Sequence, residues 1–78
     1  MAIETNADVA ARVRGVLAEK QVKRGEIAVT LNRSEMSISR RLSGDTPFAP
    51  EELIKIARRC EVPVATFFGE VASYARAA

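Results

Sequence analysis

The stretch KRGEIAVTLNRSEMSISRRLSG, residues 23–44, constrains this chain more than any other. Ile27, Ala28 and Leu31 recur at helical spacing, and Asn32 follows as a residue that tolerates the left-handed region. Ser34 is then placed to cap a new helix, whose inward face is Ile38 and Leu42. The spacing therefore predicts two short helices, about Arg24 to Leu31 and about Glu35 to Leu42, sharing one tight bend. What is left outside is polar and cationic.

That bihelical unit has a small residue in its first helix, a turn residue about four positions later and a basic, serine-rich second helix. Such a pattern has the form of a DNA-reading helix-turn-helix. Charge points the same way by its distribution, because the overall balance is only +2. Between Lys20 and Arg41 stand Lys20, Lys23, Arg24, Arg33, Arg40 and Arg41 against Glu26 and Glu35, whereas the remainder of the chain is net acidic. A local cationic excess is the electrostatic footprint of a nucleic-acid surface, although a solvated basic face has the same composition.

Around this unit the 78 residues have room for one small domain spanning 1–78. Aromatic residues at 5% and the lack of Trp disfavour a β-sandwich or barrel, so an all-α bundle is expected. A first helix, capped by Thr5 or Asn6, places Val9, Val13, Val16 and Leu17 on one face and runs to about Gln21. Gly15 within it suggests close approach by a neighbour. After the central unit, SGDTPFAP is a loop in which Gly44 takes a positive φ and Phe48 anchors to the core. Pro50 opens a fourth helix, with Glu51 and Glu52 at its positive end and Leu53, Ile56, Ala57 and Cys60 inward. Pro63 interrupts, and Val64, Phe67, Phe68 and Val71 begin a fifth helix reaching Tyr74 to Arg76.

Chemistry is bounded by what the composition lacks. A single Cys excludes an intrachain disulfide, the lack of His beside it disfavours a structural zinc site, and Cys60 reads as a core filler. No nucleophile is paired with a base, and no Gly-rich loop is built to cradle phosphate, so no catalytic residue, cofactor, metal or small-molecule substrate is expected. The start, MAIETNADVAARVRG, has neither a long apolar run nor a cleavage pattern, which disfavours secretion and membrane spanning and implies a reducing cytoplasm.

Three features in order carry a resemblance to a known family: IAVTLNRS with EMSISRRLSG, then GDTPFAP, then EELIKIARRCEVPVATFF. Together they resemble the Cro/CI-type (XRE-like) helix-turn-helix family of phage and bacterial repressors, over nearly everything from the first helix to Phe68. The resemblance implies a compact five-helix, lambda-repressor-like bundle and a transcriptional regulator that occupies a double-stranded DNA operator. It implies that the third helix enters the major groove, with Glu35, Met36 and Arg40 in the slots that meet base edges, and Ser39 and Ser37 flanking them. Arg24 falls in a slot that touches backbone. The chain departs from the family at Asn32, which replaces a turn Gly, and at Arg33, which falls where an apolar residue is common.

Residue chemistry refines these roles. Arg40 is the first choice for base reading, since a guanidinium donates two parallel bonds to O6 and N7 of guanine. Glu35 either accepts from cytosine N4 or favours the start of its own helix, and Met36 either meets a thymine methyl or packs at the turn. Lys23, Arg24, Arg33, Ser34, Ser37 and Thr46 are phosphate candidates, with Ser34 also the natural helix cap. Two roles are open to Arg41, phosphate contact or an ion pair with an acid such as Asp45. A homodimer reading two half-sites is expected, its interface formed by Phe67, Phe68, Val71 and Tyr74 unless those side chains complete the core. The alternative for the whole domain is an antitoxin or antirepressor-like module that binds protein.

Overall fold

A computed structural model of the chain describes residues 6–68. Over that span the protein is all-helical: α1 (Asn6–Lys20), α2 (Arg24–Leu31), α3 (Glu35–Leu42), α4 (Pro50–Cys60) and a 3₁₀ helix, Val64–Phe68. α1 packs on α3, α4 and the 3₁₀ turn, and α2 on α3 and α4. No helix among the described residues is long and apolar enough to cross a membrane.

Each helix begins and ends for a local reason. Ser34, in extended conformation, accepts the amide of Ser37 at 3.1 Å and so caps α3. At α4, Pro50 occupies the first turn and Glu52 reaches back to the amide of Ala49 at 2.9 Å. Three helices close in one way: Gln21, Asn32 and Glu61 are left-handed, at φ 57°, 54° and 58°. In each case the following amide bonds the carbonyl five residues back, from Val22 to Leu17 (2.9 Å), Arg33 to Ala28 (2.9 Å) and Val62 to Ala57 (3.0 Å). α3 ends differently, with Gly44 at φ 90° and the Leu42 carbonyl accepting from the Arg14 guanidinium of α1.

The core gathers under α3. Val13, Ile27, Ile38, Ile56 and Phe67 are fully buried and form one cluster with Leu17, Leu31 and Leu53, against which Val9, Val16, Leu42 and Phe48 pack. Phe48 thus anchors its loop, as expected. Two expectations are corrected. The fifth helix starts at Val64 but is a 3₁₀ helix: Pro63 halts the helical ladder, and its carbonyl accepts the Thr66 amide at 3.0 Å, a tight turn that drops Phe67 into the core. Its expected continuation through Tyr74 to Arg76 lies outside the described residues. Gly15 marks no close approach, since a Cβ there meets nothing within 4 Å.

Candidate nucleic-acid interface

α2 and α3 share a tight bend at Asn32 and Arg33, and their packing leaves one face of α3 open. On that face Met36 is 67% exposed. Arg40 is exposed too, and its guanidinium has no hydrogen-bond or ion-pair partner among the described residues. Its backbone is held firmly instead: the Arg40 carbonyl accepts the amides of Asp45 (3.0 Å) and Thr46 (3.2 Å) and the Ser43 hydroxyl (2.9 Å). An exposed charge is thus carried on a well-bonded stretch of backbone. Met36 and Arg40 line an open hollow of ≈ 340 Å³ with Ser34, Ser37, Arg41 and Thr46.

At the other edge of the face, Arg24 is the first residue of α2 and donates from Nη1 to the hydroxyl of Ser39 at 2.5 Å. Glu35 lies over the first turn of α2, where a Cβ on Gly25 would meet its carboxylate at 3.8 Å. The acid therefore sits near the starts of both α2 and α3, where helix dipoles favour negative charge. Gly25 and Glu35 belong to a second open hollow, ≈ 620 Å³, which runs past Ala28 and Val29 to Arg33 and Ser34. Lys23 is exposed just ahead of α2, and its amide lies 3.4 Å from Glu26, which also takes Arg59 of α4 at 3.1 Å.

No protein-family model, curated protein or solved structure matches the chain.

Beneath the hollows lies a charged cluster that the sequence reading did not single out. Glu52 is buried, and its two oxygens accept separately: Oε2 from Arg33 Nε at 2.5 Å, Oε1 from Arg41 Nε at 3.1 Å and from the Ala49 amide. Burial alone would push its carboxyl up, yet the Ala49 amide and the two guanidinium groups outweigh that and hold it below the ordinary 4.5. Arg41 also donates to the carbonyl and hydroxyl of Ser37, and its side chain is only 11% exposed. Of the two roles open to Arg41 the structure shows the ion pair, made with Glu52 and not with Asp45: the guanidinium reaches from the last turn of α3 to the first turn of α4. Ser37 is engaged by the same guanidinium, whereas Arg33 keeps 46% of its side chain exposed.

The structure also redistributes the apolar candidates. Phe67 is fully buried within the monomer and offers no surface to a second copy, since the 3₁₀ turn points it between α1 and α4. Phe68 is half-buried against the core, and Val71 and Tyr74 lie outside the described residues. Cys60 is buried, and burial raises its thiol above the usual 9.0 despite nearby Arg59 and Lys20. Among the described residues no group of His, Cys, Asp and Glu is arranged to hold a metal ion.

Proposed function

We propose that this chain is a sequence-specific double-stranded-DNA-binding transcriptional regulator of the Cro/CI type, its helix-turn-helix formed by α2 and α3. One observation carries the reading: an exposed guanidinium, Arg40, stands unpartnered among the described residues beside exposed Met36, on a short helix whose opposite side is anchored by fully buried Ile38. With its side chains an α-helix is roughly 10 to 12 Å across, which fits a major groove about 12 Å wide. In that placement Arg40 faces base edges, Met36 supplies apolar contact, and Lys23 and Arg24 approach the phosphate backbone. Ser34 serves as the cap of α3 and Arg41 as an internal brace, which leaves fewer phosphate ligands than the sequence alone suggested.

A module this small has limited surface for specificity, so two copies on adjacent half-sites complete the proposal. Selection from a random duplex pool is the test. A palindromic motif supports both the class and the symmetry; recovery of no motif, with weak salt-governed binding, refutes it. A second reading, an antitoxin or antirepressor-like protein-binding module, is favoured by Val29, 82% exposed on α2, and by Ile54, 43% exposed on α4. That reading predicts the second outcome of the same selection.

A further inference from the structure

Among the described residues three helices close on a left-handed residue, and in that closure the next side chain turns back toward the helix, where an apolar group is favoured. Val22 and Val62 follow the rule and pack against the core. Arg33 breaks it at the bend between α2 and α3. A guanidinium there must be desolvated in part, and Glu52 offsets this with the 2.5 Å contact to Nε. Internal stability gives no reason for the arrangement: Arg41 alone would neutralise Glu52, and apolar side chains in these positions would pack as well or better.

The cluster holds one carboxylate and two guanidinium groups, so one positive charge is in surplus. Arg41 is enclosed and divides its donors among Glu52 and Ser37. Arg33 uses only Nε, and its two terminal nitrogens have no partner among the described residues. The surplus therefore surfaces at Arg33, next to the Ser34 cap of α3 and on the rim of the 620 Å³ hollow.

We propose that Glu52 is a positioning residue: it holds Arg33 by its inner edge so that the two terminal amino groups present a preset fork to a DNA backbone phosphate. This rests on the DNA-binding reading above. A fork fixed beforehand loses less side-chain freedom on binding, and its two donors match two phosphate oxygens.

The test is fluorescence anisotropy with a labelled mixed-sequence DNA duplex across a salt series, on the whole chain and on Glu52→Gln, Arg33→Gln and the double variant. Glu52→Gln makes the protein more cationic, so simple attraction would tighten binding. Loss of positioning weakens it, and this opposite sign separates the two. Each phosphate contact contributes about 0.9 to the slope of log affinity against log salt. Between 50 and 200 mM salt the wild type should therefore lose roughly threefold more affinity than Glu52→Gln or Arg33→Gln, with the double variant no different from Arg33→Gln. Should Glu52→Gln fail to fold, Arg33→Gln, at an exposed side chain, carries the test alone, and an unchanged slope overturns the proposal. A wild type that binds while Glu52→Gln binds equally or more tightly overturns the positioning role alone. A wild type that binds no duplex removes the DNA reading and this proposal together.

Discussion

Arg24 Nη1 lies 2.5 Å from the hydroxyl of Ser39, which joins the first residue of α2 to the middle of α3. A residue expected to touch phosphate is thus tied to one expected to lie near bases, and the spacing of the two helix faces is fixed through it. Arg24→Ala should weaken a selected duplex and a scrambled one by the same factor, because phosphate contacts orient without telling sequences apart. Anisotropy on both duplexes checks this. A loss confined to the selected duplex would assign Arg24 to base reading instead.

Arg40 should behave in the opposite way. Its side chain is exposed and has no partner among the described residues, so Arg40→Ala should leave the melting temperature unchanged. Discrimination at one base position should fall by about 1 to 3 kcal/mol, measured by competition with single-base variants of the selected site. Equal weakening across all variants would contradict it.

Glu52 predicts an acid limb in the stability profile. Its carboxyl is held below 4.5 in the folded protein, so its stabilisation is complete above that pH and is lost as acidity passes through the lower folded value. Urea midpoints should stay flat near neutrality and decline below pH 4.5, and Glu52→Gln should shallow that decline. At neutral pH, Glu52→Ala should cost about 2 to 4 kcal/mol by stranding enclosed Arg41, the share from half-exposed Arg33 being reduced by solvent screening.

Two glycines should respond with opposite signs. Gly15 is exposed within α1 and nothing lies within 4 Å of an added Cβ, so Gly15→Ala should stabilise by about 0.5 to 1 kcal/mol. Gly44 stands at φ 90°, and an added Cβ would meet the Ala7 Cα at 3.1 Å. Gly44→Ala should therefore destabilise by about 1 to 2 kcal/mol. Thermal melts of the pair, run side by side, decide both.

Burial should make Cys60 inert. Its raised pKa keeps the thiol protonated at pH 8, and its buried position bars reagent access. Labelling by a thiol-specific disulfide reagent should be negligible in buffer and complete in guanidinium. Rapid labelling of the native protein would show that α4 opens locally.

Periodicity and turn chemistry made the central helices legible: the limits of α2 and α3, the Asn32 bend, the Ser34 cap, Gly44 and Pro50 all follow from local residue preferences. The closures at Gln21 and Glu61 did not, because neither residue type advertises a positive φ; tertiary packing of Val22 and Val62 imposes it. Glu52 left a trace that charge obscured. It lies four residues before Ile56 and eight before Cys60, on the same buried stripe, so an acid there required a cationic partner. That Arg33 and Arg41 answered could only be known from the fold, which brings both guanidinium groups to the start of α4. The fifth helix failed for a comparable reason: apolar spacing after Pro63 fits an α-helix and a 3₁₀ turn alike, and contact with α1 and α4 selects the tighter form.

Phe67 sets a timetable for folding. Its ring has no exposed surface, yet it belongs to the last described turn, which follows every helix that surrounds it. A nascent chain that has released only α1 to α4 from the ribosome still lacks the plug for its own interior. The domain can be sealed only when residues 64–68 emerge.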